Sequence, residues 1–222
     1  CQRPPTRRGR RTRADIGVHI LYLADIRFPL ERANGIQTME TAHALVARGH
    51  VVSLGVRPDI VRPARDPFLF YGCDPSARFT VERTPAAGPQ LVRRVTYLTS
   101  AAARAVRRQR RIDVVYTRDL GVADALVRIP PRWRPPVVYE SHGYAPVFAH
   151  TLPELVPGAR RGSPRKLRRL ERREHRVWRR AEGYVTTTQV LAAELTQRFG
   201  PRPHLLTASN GAHLSPARTG AG

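Results

Sequence analysis

Residues 17–56 read GVHILYLADIRFPLERANGIQTMETAHALVARGHVVSLGV. An apolar run at 17–24 leads into a polar loop, and a helical pattern follows from about residue 36 to residue 48. Gly49 stands where a left-handed cap usually ends a helix, and a second apolar run follows at 51–56. The pattern predicts a buried strand, a loop that opens a helix, and a second strand.

The rest of the chain continues this alternation of short apolar runs and helical patterns. Strands are predicted at 17–24, 51–56, 78–82, 112–117, 136–140, 183–187 and 203–207. Helices are predicted at about 36–48, 89–110, 120–128, 164–181 and 189–198. The strands are rich in Val and Ile without strict alternation, which is typical of a parallel sheet covered on both faces. We therefore expect a Rossmann-like, doubly wound α/β domain.

The chain is strongly basic, with 222 residues, a formal net charge of +22 and 41% hydrophobic residues. That hydrophobic fraction allows a sizeable core, and such a charge ordinarily indicates a nucleic-acid binder. Lys166, however, is the only lysine among 39 basic residues, and the chain has 20 prolines. This bias is typical of a GC-rich genome. Charge alone therefore leaves nucleic-acid and membrane binding open.

The start of the chain, residues 1–14, is basic and shows no periodicity, which predicts a disordered tail before one domain at 15–208. No apolar run approaches the ~18 residues that span a bilayer, and no signal-peptide segment follows the basic start. We therefore expect a cytoplasmic protein.

Cys1 is interpreted as the start of a fragment or of an overextended reading frame rather than as a lipidated cysteine. Cys1 and Cys73 lack CxxC spacing, so neither a metal site nor a disulfide is predicted.

Polar residues follow the predicted strands where each strand ends. They lie at 25–27, 117–119, 140–143, 186–188 and 209–211. Ligands of open parallel sheets bind outside the carboxyl ends of the strands. The sequence therefore predicts that these segments share one cleft.

Five residues near this edge are candidates for function, and four of them also have a structural interpretation. Asn34 and Gly35 place free N–H groups at a helix N-terminus, where a phosphate binds, or else serve as an N-cap and a tight-turn residue. His142, between two small residues, is either a proton donor or hydrogen-bond partner for a hydroxylated substrate, or a histidine satisfied within its loop. Arg118 is a candidate contact for an anion or hydroxyl. Asp119 is either a second such contact or an N-cap.

The segment 164–183 spaces apolar residues along one helical stripe, and the rest of its surface is basic. Packing on the sheet, with a solvated arginine face, explains this pattern more simply than contact with anionic lipid does. No paired-carboxylate, Gly-x-Ser-x-Gly or metal-ligand motif is present in the sequence.

Taken in order, five motifs resemble a known enzyme family: HILYLADIRFPLERANGIQTMETAHALVARGHVVSLGVRPD, DVVYTRDL, PPVVYESHGYAP, AEGYVTTTQVLAAELTQRFGP and SNGAHL. The family is the N-terminal domain of the family 4 glycosyltransferases, which are retaining enzymes of the GT-B fold. The resemblance covers about residues 17–214. It implies the acceptor-side half of a fold in which two Rossmann-like domains face each other across a cleft.

The resemblance also implies roles for particular residues. Gly35, after Asn34, would approach the donor diphosphate, and Asn210 and Gly211 would mark the crossing into the second domain. His142 would lie near the transferred sugar. We expect the acceptor side of the cleft to include Arg27, Arg118, Asp119, Glu140 and Gly143. The implied co-substrate is a nucleotide-diphosphate sugar, with no metal and no covalently bound cofactor. The acceptor would be a sugar or a lipid-linked molecule, which allows peripheral contact with an anionic inner-membrane surface and makes nucleic acid the less favoured partner.

The sequence departs from the family pattern in three places. Gly35 stands alone where many members have Gly-Gly, and Ala212-His213 replaces a common Val-Asp. The chain ends at Gly222, within the segment 209–222 that we interpret as the start of the crossing. We therefore expect the donor-binding domain to be absent, and this chain to be inactive alone, as a fragment, a gene remnant or one half of a split enzyme. The alternative function is a stand-alone basic module that binds nucleic acid or a membrane surface.

Overall fold

A computed structural model describes residues 17–85, 88–156, 158 and 160–209. The predicted basic tail and the predicted crossing residues Asn210 and Gly211 lie outside this part of the chain. Seven strands are present: β1 (His19–Arg27), β2 (Val51–Arg57), β3 (Phe79–Arg83), β4 (Val114–Thr117), β5 (Val137–Ser141), β6 (Gly183–Thr186) and β7 (Leu205–Thr207). All seven were predicted within a few residues of their observed bounds.

The strands form a single parallel sheet in the order β3-β2-β1-β4-β5-β6-β7. The direction of winding reverses between β1 and β4. In doubly wound sheets the crevice at such a reversal is where ligands bind, at the carboxyl ends of the strands. The predicted Rossmann-like fold is confirmed, and the order of its strands locates the crevice.

Helices cover both faces of the sheet. They are α1 (Ala33–Ala47), α2 (Pro67–Tyr71), α3 (Gln90–Arg107), α4 (Leu120–Leu126), α5 (Ala145–Leu155), α6 (Pro164–Arg180) and α7 (Gln189–Phe199), with a short 3-10 helix at Pro131–Trp133. The predicted left-handed residue after α1 is confirmed, because Gly49 has a φ of 91°. The helix itself begins three residues earlier than predicted, with Arg32 at the N-cap position.

The central strand explains how one sheet supports two hydrophobic cores. Successive side chains of a strand point to opposite faces. Leu21 and Leu23 of β1 therefore belong to the core under α3, α4, α6 and α7, and Tyr22 belongs to the core under α1. These three side chains are fully buried. Both faces are thus apolar along β1, which is why its sequence does not alternate.

Two helices were missed in the sequence. In α2, Asp66 caps the N-terminus by accepting hydrogen bonds from the N–H groups of Phe68 and Leu69. In α5, a proline lies in the first turn and Pro153 lies in the last part of the helix. Proline is tolerated at the start of a helix, but two prolines within eleven residues are more typical of a loop.

Helix α6 packs as the amphipathic pattern predicts. Val177 and Trp178 on its apolar stripe are buried, and most of its arginines are exposed. Among the residues that the structure describes, no helix combines the length and the apolar character needed to cross a bilayer.

Candidate functional site

Three predicted residues form one hydrogen-bonded cluster at the carboxyl ends of β4 and β5. Glu140 Oε1 lies 2.5 Å from Nε2 of His142 and 3.3 Å from Nε of Arg118. Arg118 Nη2 lies 3.1 Å from Nδ1 of His142. Glu140 is buried, whereas 28% of the His142 side chain is exposed. A buried carboxylate thus holds a guanidinium and a partly accessible imidazole.

The hydrogen bonds to the His142 ring come from Arg118. Glu140 can only accept a hydrogen bond when it is ionised, and Arg118 can only donate. Arg118 Nε therefore donates to Nε2 of His142 at 2.7 Å, and Arg118 Nη2 lies 3.1 Å from Nδ1 of the same ring. Glu140 Oε1 lies within ion-pair distance of both Arg118 Nε and His142 Nε2.

The buried hydroxyl of Thr117 and the N-terminal cap of α4 fix the backbone beside this cluster. Thr117 Oγ1 donates to the carbonyl oxygen of Leu23 at 2.7 Å and accepts from the N–H of Asp119 at 3.1 Å. Asp119 Oδ1 accepts from the N–H groups of Gly121 and Val122 at 2.7 and 3.0 Å. Asp119 is therefore the N-cap of α4, as the structural interpretation of this residue proposed. Its capping holds Arg118 at the start of the loop.

Arg118 also connects this cluster to α1, because its Nη2 donates to Oε1 of Gln37 at 2.7 Å. Gly35 lies two residues earlier in α1 and is buried, and its N–H donates to the carbonyl oxygen of Arg32 at 2.8 Å. A Cβ atom there would lie 2.2 Å from the carbonyl oxygen of Leu30 and 2.6 Å from Oη of Tyr71. Close packing thus requires a glycine at this position.

A cavity of about 410 Å³ opens beside the cluster, between α3, α4, α5 and α6. We call it the arginine cavity. Four predicted residues line it, namely Arg118, Asp119, His142 and Gly143. The cationic side chains Arg94, Lys166 and Arg173 also line it, together with the apolar side chains Leu120, Phe148, Ala149, Leu152 and Leu170.

A second cavity of about 330 Å³ lies between α5 and α7, and we call it the threonine cavity because Thr151, Thr187 and Thr188 line it. His142, Gly143 and Phe148 line both cavities. Gly143 has a φ of 152°, and a Cβ atom there would lie 2.1 Å from Cε2 of Phe148. The glycine therefore lets the Phe148 ring lie against the backbone where the two cavities meet.

Sequence reasoning did not identify the charged residues that α3 and β2 bring to the crevice. Asp25 is buried at the end of β1, with Arg57 Nε 2.9 Å from its Oδ1 and Arg94 Nη1 3.4 Å from its Oδ2. The Arg57 contact has the distance of an ion pair but not the angle of a hydrogen bond. Burial, with a smaller contribution from Asp119, raises the pKa of Asp25 to about 6 against the opposing effect of the two arginines.

The other predicted site residues lie apart from this cluster. Arg27 is exposed at the end of β1 and lines neither cavity. Asn34 is exposed in the first turn of α1. Within the described residues, no group of three or more His, Cys, Asp or Glu side chains is arranged to hold a metal ion.

Solved structures with the same fold are glycosyltransferases of the GT-B fold. Sucrose-phosphate synthase from Thermosynechococcus elongatus aligns with a TM-score of 0.60 at 13% identity, over 88% of this chain and 48% of that protein. Phytolacca americana UGT2, complexed with UDP-2fluoro-glucose and pterostilbene, aligns with a TM-score of 0.56 at 17% identity, over 85% and 53%. Anabaena Alr3699/HepE, in complex with UDP and glucose, aligns with a TM-score of 0.53 at 15% identity, over 87% and 44%.

The chain therefore has the fold of one Rossmann-like domain of a GT-B enzyme, and it spans about half the length of these structures. The family follows from the sequence itself. The profile of the glycosyl transferase 4-like domain matches residues 34–211, so the chain belongs to that family. No significant match was found among curated proteins.

Proposed function

We propose that this chain is the acceptor-side domain of a retaining glycosyltransferase. The enzyme would transfer a sugar from a nucleotide-diphosphate sugar to a hydroxyl of the acceptor. The observation that carries the proposal is the Glu140–Arg118–His142 cluster, which lies at the crevice edge and borders the arginine cavity. Family membership supports the same class of enzyme.

His142 is the residue that we place nearest to the reacting groups. Its ring is accessible from both cavities, and Glu140 and Arg118 hold it in one orientation. The acceptor oxygen would form a bond to the anomeric carbon while the bond from that carbon to the diphosphate breaks. The hydroxyl proton would pass to the departing diphosphate. A fixed imidazole beside the sugar would orient these groups through hydrogen bonds.

The donor diphosphate would meet the N-terminus of α1, where Asn34 and Gly35 lie. The N–H of Gly35 is already bonded to Arg32, so the available donors are the N–H groups of Ala33 and Asn34, which have no partner among the described residues. A helix N-terminus favours an anion. Asn210 and Gly211 would complete the site at the crossing into the donor domain.

The second wall of the cleft would come from a donor-binding domain, on the same polypeptide or on a separate one. The matched structures in complex with UDP or a UDP-sugar support a nucleotide-sugar co-substrate. This chain alone would be inactive, because the donor would have no binding domain. We also propose that the enzyme is cytoplasmic and makes peripheral contact with an anionic membrane surface. The alternative of a stand-alone basic binding module is not favoured by the family match.

The test joins this chain to the donor-binding half that the proposal predicts, whether that half is encoded on the same polypeptide or on a separate one. Release of nucleoside diphosphate is measured from a panel of nucleotide-sugars, with a cell extract as the source of acceptor. We expect release that requires both halves and the extract. If the assembled protein consumes none of the nucleotide-sugars, the proposal is wrong.

A further inference from the structure

We propose that the arginine cavity binds an anionic amphiphile, and that this molecule is the acceptor. Its phosphate or carboxylate would pair with Arg94, Arg173 and Lys166. Its apolar part would lie against the wall that includes Phe148 and Leu152. This inference rests on the proposed function, and it specifies the chemical class of acceptor that the domain would take.

Two arginines that line the cavity each share a carboxylate with another arginine, and the other arginine lies closer to that carboxylate. Arg94 lies 3.4 Å from Asp25, whereas Arg57 approaches the same carboxylate to 2.9 Å. Its other partner, Asp119, is also 3.4 Å away and already caps α4. The positive charge of Arg94 is therefore only partly compensated.

Arg173 of α6 also shares its carboxylate with closer arginines. It lies 3.5 Å from Asp124, a carboxylate that Arg176 contacts at shorter distance and Arg128 contacts at 3.2 Å. Burial lowers the pKa of Arg173, and neighbouring arginines, Arg94 among them, lower it further against the pull of Asp124. Three arginines thus share the single carboxylate of Asp124. A bound anion would relieve this repulsion.

The charges around the cavity support the same conclusion. Lys166 lines the cavity and has no ion pair among the described residues. The cations that line the cavity, or share carboxylates with its lining, are Arg57, Arg94, Arg118, Arg128, Lys166, Arg173 and Arg176. Within the part of the chain that the structure describes, the carboxylates that line the cavity or pair with these cations are Asp25, Asp119, Asp124 and Glu140. Guanidinium groups bind phosphate and carboxylate well because both can accept paired hydrogen bonds.

The remaining wall of the cavity is apolar, which a purely polar anion would leave uncovered. Phe148 is 47% exposed although it is a large hydrophobic side chain. It lies with Leu152 and Leu170 on the α5 and α6 side of the cavity. Burial of such surface by an alkyl or isoprenoid chain is favourable in proportion to the area covered. Charge and apolar surface together define an amphiphile.

The threonine cavity offers a different environment. Its lining includes the acidic side chain Glu194 and no arginine or lysine, and apart from His142 its other polar side chains are hydroxyls. Of the two cavities that His142 lines, the arginine cavity is therefore the one that favours an anion. Because His142 lines both cavities, an acceptor anchored by its anion would present a neighbouring hydroxyl at this ring.

The test measures binding to this chain by calorimetry, without a donor, and uses four probes. These are octyl phosphate below its micelle concentration, octyl glucoside, glucose 6-phosphate and inorganic phosphate. We expect octyl phosphate to bind about tenfold or more tightly than each of the others, because only it supplies both the charge and the chain. Equal binding of octyl phosphate and octyl glucoside would show that the cations play no part. Equal binding of octyl phosphate and either phosphate without a chain would show that the apolar wall plays no part. Either result would overturn the proposal.

Matched variants locate the site. Arg94→Gln with Arg173→Gln should weaken octyl phosphate binding about tenfold or more. Arg107→Gln with Arg180→Gln changes the same charges on exposed positions of the same helices and should leave binding unchanged. If the first pair prevents folding, exposed Lys166→Gln should weaken binding and exposed Arg165→Gln should not. Equal effects in a variant and its control would overturn the inference.

The two proposals fail in different ways. If sugar transfer is observed but octyl phosphate does not bind at the arginine cavity, only this inference is wrong. If octyl phosphate binds there but no nucleotide-sugar is consumed, the proposed function is wrong.

Discussion

Glu140 Oε1 lies 2.5 Å from Nε2 of His142, and the same carboxylate oxygen lies 3.3 Å from Nε of Arg118. β5 ends with Glu140 and Ser141, so this carboxylate sits on rigid structure, whereas His142 begins the loop. One strand residue therefore positions both a loop residue and the arginine that follows β4.

Replacing Glu140 with glutamine should destabilise the protein. Arg118 is 9% exposed and would keep only His142 and Gln37 as partners, neither of which carries a negative charge. We expect the free energy of unfolding to fall by about 1–3 kcal/mol, measured by urea denaturation. Glu194→Gln is the control, because its pair with Arg198 at 3.5 Å is exposed and should contribute less than about 0.5 kcal/mol. Equal losses in the two variants would contradict a special role for Glu140.

Gly143→Ala should disturb the junction of the two cavities. The new methyl group would meet the Phe148 ring at 2.1 Å on a backbone with a φ of 152°. Gly72→Ala is the control, since its φ is 64° and no atom lies within 4 Å of the added carbon. We expect the control to lose about 1–2 kcal/mol of stability and Gly143→Ala to lose about 1–3 kcal/mol more.

The double variant Gly143→Ala with Phe148→Ala separates the strain of the backbone at position 143 from the collision of the new methyl group with the Phe148 ring. Removing the ring should recover part of the additional loss, so the two changes should be non-additive in urea denaturation. Strict additivity would mean that the ring does not determine the need for glycine at position 143.

Gly35→Ala should reduce stability by more than about 2 kcal/mol, because its methyl group would collide with the Leu30 carbonyl oxygen at 2.2 Å. The exposed neighbour Asn34 is the control, and Asn34→Ala should change the free energy of unfolding by less than about 0.5 kcal/mol. A Gly35→Ala protein as stable as the wild type, as judged by urea denaturation, would show that close packing does not require this glycine.

The buried carboxyl of Glu174 should make stability depend on pH. Burial raises its pKa to about 7, although the Tyr184 hydroxyl donates a 2.6 Å hydrogen bond to it. The folded protein then binds more protons than the unfolded chain between the ordinary pKa of 4.5 and about 7. The resulting stability is fully present below about pH 4.5 and is lost as the pH rises through about 7.

Glu174→Gln removes this titration. Urea denaturation at pH 5 and pH 8 should therefore show a smaller fall in stability in the variant than in the wild type, while exposed Glu194→Gln should keep the wild-type fall. If Glu174→Gln keeps it as well, Glu174 does not titrate as described.

The sequence predicted the fold and part of the candidate site for physical reasons. Valine-rich strands separated by helices require a parallel sheet, and residues that follow such strands meet at one edge, which brought Arg118, Glu140 and His142 together. Arg94 and Arg173 could not be predicted, because they lie inside arginine-containing helices where a solvated face is the simplest interpretation. Only the tertiary pairing of Asp25 and Asp124 with other arginines distinguishes them. Helix α5 was missed because of its prolines, and its Phe148 was missed with it.

His142→Ala tests the central claim most directly. The variant is compared with His150→Ala, which removes an exposed histidine from α5, in the assembled enzyme of this chain and its donor domain. The measurements are turnover, as nucleoside diphosphate released per second, and the free energy of unfolding. The account predicts that turnover falls about 100-fold or more in His142→Ala alone, while stability changes by less than about 1 kcal/mol. Unchanged turnover, or a loss that merely follows unfolding, would contradict it.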